Sequence, residues 1–319
     1  MPPALHLSPG QSSVHPASHA SQEISHLWWM MMIAGWIGFA LVVFLLTLGW
    51  WRRNRANLPF GGGDRAATAW IVGLGVGVPI VLLSALFVWA DVFVINSTAA
   101  PREGSTRLTV DVIGHDWWWE ARYPASGVVT ANEIHIPVGT RVAAVVTTGD
   151  VIHSFWVPEL NRKIDMIPGR RSEILLDAEH AGVFRGQCAE FCGLQHAHMS
   201  FLVYADPPDR FRAWLKAQQR PSAAPASALA RRGKDVFLSA SCADCHTIRG
   251  TSADGEVGPD LTHLASRSTL AANTIPNTPS ELSDWIRDPQ HVKPGNRMPA
   301  LGLSPDALKA VVAYLDSLR

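Results

Sequence analysis

Apolar and polar residues fall along this chain in three successive patterns. The first is continuous. Between Glu23 and Arg52 no Asp, Glu, Lys or Arg occurs, and the run Leu27 to Trp51 supplies 25 residues. At about 1.5 Å per residue, such a run crosses the roughly 30 Å hydrocarbon core of a bilayer. Trp28 and Trp29 flank one end and Trp50 and Trp51 the other, as interfacial aromatic belts do. A second uncharged run extends from Ala66 to Ala90, with Pro79 inside it. Proline removes a helix hydrogen bond, so a kink is predicted there. Two buried globular helices would be the alternative, but their length and lack of charge argue against it.

The second pattern is short and alternating. "RLTVDVIG", "EIHIPVG", "RVAAVVTTGD", "HSFWVP", "RSEILLD" and "SFLVYAD" are rich in Val, Ile and aromatics and punctuated by Gly, Pro and Asp. Such runs predict seven or eight strands in a Greek-key β domain over 96–206. A short helix, "PDRFRAWLKAQQ", then leads into the Pro/Ala/Ser-rich 220–230, which reads as a semi-flexible linker. The third pattern has helical spacing. "ALARRGKDVFLSA", "SELSDWIRDPQ" and the amphipathic "SPDALKAVVAYLDSLR" predict a small all-α module over 231–319, with Ser304 capping the last helix. The expected order is therefore a tail (1–26), a transmembrane hairpin (27–95, spans about 27–51 and 66–90), a β domain (96–206), a helix and linker (207–230), and the α module.

Composition alters this picture in three ways. Twenty-seven basic residues balance 27 acidic ones, and only 17% of the 319 residues are charged. Neutrality argues against a nucleic-acid partner, which requires a basic face. The basic residues near the spans are also unevenly placed. Arg52, Arg53, Arg55 and Arg65 crowd the connection between them, while the first 26 residues carry no Lys or Arg. The positive-inside rule then puts the connection in the cytoplasm and both termini outside. A cleaved signal peptide would need a basic segment before its apolar core, so the first span is expected to be retained. Finally, the four cysteines form two tight pairs, spaced as ligands or attachment points rather than as a disulfide scaffold.

Cys242-Ala243-Asp244-Cys245-His246 is a C-x-x-C-H heme attachment motif. Two thiols on one helical turn reach the two vinyl groups of a heme, and the adjacent imidazole points at the iron. Met298 is the sole methionine of the module and the candidate sixth ligand, a soft thioether that favours ferrous iron. "GPDL" at 258–261 would pack the proximal side, with Pro259 buttressing the histidine. A thioredoxin-like pair lacks its βαβ surroundings, and a zinc site lacks a second cysteine pair within the module.

The other pair lies in "GQCAEFCGLQHAHM", where Cys188, Cys192, His196 and Met199 crowd one loop; His153 comes from a separate strand. One cysteine, two histidines and a methionine would suit mononuclear blue copper. A second thiolate allows two sulfurs to bridge two copper ions. A Cys2His2 zinc site and a Cys188–Cys192 disulfide are the alternatives. The first leaves Met199 without a role and the second leaves no thiolate for copper. His198 is read as lying beside the centre or at the surface.

Taken together, these residues closely resemble subunit II of heme–copper cytochrome c oxidases, in the form with a fused C-terminal cytochrome c domain. The resemblance covers almost the whole chain. It implies a two-helix hairpin, a cupredoxin domain with a dinuclear CuA centre, and a class I cytochrome c domain with one covalent heme c. The family pattern C-x-E-x-C-x-x-x-H-x-x-M is met by Cys188, Glu190, Cys192, His196 and Met199, and His153 matches the histidine of its H-S-F/W-x-x-P segment. The resemblance makes the Glu190 carbonyl a copper ligand. It also directs the Glu190 carboxylate to a magnesium or manganese ion at the subunit I interface, near which Asp165 belongs. "GHDWWWE" resembles the family's G-H-Q-W-x-W stretch, so Trp117 matches the tryptophan that receives electrons from an external cytochrome c, with Trp118 and Trp119 as packing. Asp116 stands where the family commonly has Gln.

By the same resemblance the chain is the electron-input subunit of a proton-translocating oxidase in the bacterial inner membrane, with its redox domains on the periplasmic side. Electrons would pass from an external cytochrome c or other respiratory donor through heme and CuA to subunit I, where oxygen is reduced; subunit III is a further expected partner. The rival of another class is a freestanding electron-transfer or copper-delivery protein anchored by two helices; a copper chaperone would hold one exchangeable ion rather than a closed pair. Many relatives carry a proton-uptake glutamate before the Trp of the second span. Here Ala67 precedes Trp70, and Asp64 is the closest acid, so little contribution to proton uptake is expected.

Overall fold

The computed structural model describes residues 11–53 and 64–319; Arg55 of the connection and the first ten residues lie outside the described residues. Two long helices, His19–Arg52 and Asp64–Thr98, contain the uncharged runs and extend beyond them at both ends. Their large apolar side chains face outward. Trp36, Leu46, Ile71 and Val81 are each more than 60% exposed, which suits a lipid-facing surface and no aqueous one. The expected irregularity at Pro79 takes the form of a π-helical turn, Gly73–Gly77, just before it.

The β domain is a curled, mixed, cupredoxin-like structure of two five-stranded sheets. One sheet follows the order β3 (Val128–Ala131), β2 (Trp118–Tyr123), β1 (Leu108–His115), β5 (Val142–Thr148), β8 (Ser172–Leu176). The other runs β4 (Glu133–Pro137), β10 (Ser200–Asp206), β9 (Gly182–Cys188), β6 (His153–Trp156), β7 (Ile164–Met166). Alternation decides which side chains turn inward. Val110 and Val112 of β1, Ile134 and Ile136 of β4, and Phe201 and Val203 of β10 are all fully buried between the sheets. Ten strands form where the sequence suggests seven or eight. The additional ones include β3 and β7, four and three residues long, too short to show a period of two. The pairs β1–β5 and β4–β10 are parallel, so the connections cross between sheets.

The α module packs Ala228–Ser239 against the terminal helix Pro305–Leu315, with Pro279–Arg287 alongside. Ser227, Thr278 and Ser304 each cap a helix by accepting from the backbone N–H three residues on. Phe237, Leu282, Val311 and Leu315 form its apolar centre. Helix Pro208–Gln218 connects the two domains, and the linker beyond it is tied down: Ser222 N–H donates to Arg249 O at 3.0 Å.

Candidate copper and heme centres

β9 ends at Cys188, and the chain returns into β10 after Met199; Cys188 N–H donates to Met199 O at 2.9 Å and closes the base of this loop. β6 lies against β9, with Phe155 opposite Cys188, so His153 reaches the loop from the neighbouring strand. The donors converge. Cys188 Sγ and Cys192 Sγ are 3.8 Å apart. His153 Nδ1 is 3.9 Å from Cys188 Sγ, and His196 Nδ1 is 3.6 Å from Cys192 Sγ. Met199 Sδ lies 3.7 Å from Cys192 Sγ, and the Glu190 carbonyl 3.1 Å from Cys188 Sγ. Cys188, Cys192, His153 and Met199 are all buried. Both cysteines are free thiols, separated by well over the roughly 2.05 Å of a disulfide. Two thiolates flanked by one imidazole each, with a thioether and a carbonyl, are a donor set fitted to a pair of soft metal ions.

Charge in this pocket is organised around Asp150, which sequence reasoning missed. Its Oδ1 lies 2.8 Å from His153 Nε2, and its Oδ2 accepts from Asp116 N–H at 2.7 Å. Burial would raise Asp150, but these bonds and the Val151 N–H hold it down to about 2. Burial likewise opposes charge on His153, yet its bonds to Asp150 and Cys188 lift it to about 9. The Cys192 thiol, then His153 and backbone N–H groups, pull the Cys188 thiol well below its ordinary range against burial, while the Cys188 thiolate pushes Cys192 up. A carboxylate behind a ligating histidine fixes its ring orientation. A local signal existed, since Asp150 lies three residues before His153.

The remaining expected residues divide. Glu190 and Asp165 present exposed side chains, and His198 is exposed with Nδ1 2.8 Å from Gln195 Oε1. Trp119 is buried, packing on Phe155 and Phe201. Trp118 stacks on His115 at 4.4 Å. Trp117 is half-buried, and its Nε1–H donates to Cys192 O at 2.9 Å. The indole is thereby bonded to the backbone of the copper loop.

Cys242, Cys245, His246 and Met298 line one cavity of the α module. His246 Nδ1 lies 2.8 Å from Pro259 O. A carbonyl can only accept, so Nδ1 carries the proton and Nε2 is left as the lone-pair donor. Burial lowers the pKa of His246, keeping the imidazole neutral. Both thiols are free, and Leu264, Leu282 and Val311 supply apolar walls. Two thiols, a neutral imidazole and a thioether around an apolar slot fit a covalently held heme. The same cavity is also lined by Trp117 and Trp118 of the β domain and by Lys293 and Arg297 of the α module. The last two carry no motif signature.

Comparisons with known proteins agree with both centres. Residues 126–205 match the family model described as cytochrome c oxidase subunit II, periplasmic domain, and residues 230–319 match that of cytochrome c. Among curated relatives, cytochrome c oxidase subunit 2 of Alkalihalophilus pseudofirmus is 35% identical over 290 residues, covering 87% of this chain and 81% of the relative. The subunit 2 proteins of Bacillus sp. strain PS3 and Bacillus subtilis are 30% and 28% identical, covering 83% and 87% of this chain and 78% and 83% of theirs.

Proposed function

Because the chain belongs to the cytochrome c oxidase subunit 2 family, we propose a residue-level route for the electron transfer it performs. It is an electron-transfer subunit of a heme–copper oxidase, and oxygen is reduced in subunit I. Its two apolar helices and periplasmic-type domain fit a multi-pass protein of the bacterial inner membrane. In the proposed route, His153, Cys188, Cys192, His196, Met199 and the Glu190 carbonyl hold the dinuclear copper. Cys242, Cys245, His246 and Met298 hold heme c. When bound, these groups supply one-electron chemistry and no site for oxygen.

The chain's own residues do the positioning. The Pro259 carbonyl sets the tautomer of His246, Asp150 orients His153, and Trp117 bridges the heme cavity and the Cys192 backbone. The exposed Glu190 carboxylate is free to join subunit I in an oxygen-ligand magnesium or manganese site. Subunit III is a further proposed neighbour, and a cytochrome c the external donor.

The observation that carries this reading is the convergence of both cysteines, both histidines and Met199 within 3.9 Å contacts, next to a cavity lined by the heme motif. Metal analysis with visible and near-infrared spectroscopy tests it. Two coppers and one heme c per chain are expected. Cys192→Ser should abolish the near-infrared copper band and leave the heme spectrum intact. Zinc in place of copper, or a wild-type chain without that band, would refute the assignment.

A further inference from the structure

Lys293 is a candidate ligand in neither centre, yet it lines the heme cavity and is 3% exposed at the seam between the two modules. Its Nζ donates to Trp117 O at 2.8 Å, His198 O at 2.8 Å and Ala271 O at 3.1 Å. Those carbonyls belong to the β1–β2 turn, the copper loop and the α module. An ammonium has three donor hydrogens, and each has an acceptor here. Four residues on, Arg297 donates to Asp116 Oδ2 at 2.7 Å, and Asp116 is the residue that stands where the family commonly has Gln. Gln195 of the copper loop donates to Pro294 O at 2.5 Å.

A second contact lies on the far side of the seam. Glu133 Oε1 accepts from Ser268 N–H at 2.7 Å and from Ser268 Oγ at 2.6 Å. Between these contacts, Ala271, Ala272 and Asn273 all adopt positive φ, 52°, 59° and 62°. Three consecutive left-handed residues without glycine persist only where surroundings enforce the conformation. Here Lys293 holds the first, and Ser200 donates to the carbonyl of the second.

We propose that Lys293 pins the heme module onto the copper module over Trp117, with Asp116–Arg297 as a second tie, so that the tryptophan is closed to external donors. Lys293 is then a positioning residue, and Trp117 receives electrons only from the tethered heme. This rests on the reading that Trp117 leads to copper. The step across Trp117 moves one electron, oxidising the heme iron and reducing the copper pair, with no bond made or broken. A reduced cytochrome c supplies that electron to the heme.

The test uses the assembled oxidase carrying the full chain, either wild type or with Lys293→Met plus Arg297→Glu. Arg297→Glu alone serves as the second variant, since that side chain is 62% exposed. Hydroxyl-radical footprinting read by mass spectrometry reports access to Trp117. Stopped-flow mixing with reduced soluble cytochrome c reports the order of reduction. In wild type, heme reduction should precede copper reduction, with no direct copper phase. The double variant should oxidise Trp117 at least about threefold faster. It should also show a copper phase that grows with donor concentration, and slow heme-to-copper transfer by about tenfold. The single variant should shift each readout in the same direction.

A direct copper phase in wild type, or Trp117 protection unchanged in both variants, would overturn the pin. Absence of the near-infrared copper band in the wild-type sample would instead overturn the assignment of the copper centre. The footprint would still judge the pin in that case.

Discussion

At the scale of single residues, the proposed copper ligands are held by neighbours outside the donor set. Gly114 is the sharpest case. A Cβ built there would lie 2.8 Å from His153 Cδ2 and 3.2 Å from Cγ, so Gly114→Ala forces the imidazole to move. His153 is fully buried and bonded to Asp150, leaving it little room. The expected outcome is a shifted near-infrared copper band and about tenfold weaker copper retention, in the range seen when outer partners of metal ligands are lost. Competition with a copper chelator measures it, and the heme spectrum should be unaffected. An unaltered copper band would show that His153 lies outside the centre. The proposed ligands stand out in the sequence because Cys188 to Met199 sit within one loop at close, regular spacing. Lys293 was not readable: a single lysine with three carbonyl acceptors leaves no pattern in the sequence.

At the scale of elements, the heme cavity depends on how the first and last helices of the α module cross. Gly233 makes that crossing possible. A Cβ there would meet Ala310 O at 1.9 Å, Ala310 C at 2.5 Å and Tyr314 Cβ at 2.9 Å. These are mostly backbone atoms that cannot swing aside, and Phe237 and Tyr314 pack in the same seam. Gly233→Ala should therefore destabilise the α module by about 3 kcal/mol or more, beyond the small gain in helix propensity. Thermal unfolding followed at the heme band should show it, while the copper band melts as in wild type. An unshifted heme transition would mean that the helices are free to separate without cost. The helices themselves were legible, since each has a cap and an apolar stripe. Gly233 reads only as a weak spot in a helix until Ala310 is seen opposite it. Strands β3 and β7 escaped for a different reason, because pairing partners rather than their own few residues define them.

At the scale of the whole molecule, the β domain and the α module, joined by a short tether, pack into one compact unit. The Pro/Ala/Ser stretch reads as semi-flexible, and a tether alone already raises the effective concentration of one module near the other. The hydrogen bond from Ser222 to Arg249 and that from the Arg249 guanidinium to Gln218 O fasten the N-terminal end of the stretch to the α module. Asp116 and Arg297, distant in sequence, meet across the seam. Composition cannot report such contacts, since they depend on how two independently folded surfaces fit.

The proposed route carries electrons from heme to copper inside one chain. Flash photoreduction of the heme in the assembled oxidase, with the copper band followed in the near infrared, tests this most directly. A single-exponential reduction of copper is expected, with a rate that does not change with protein concentration. A rate proportional to protein concentration, or a reduced heme beside copper that stays oxidised, would contradict it.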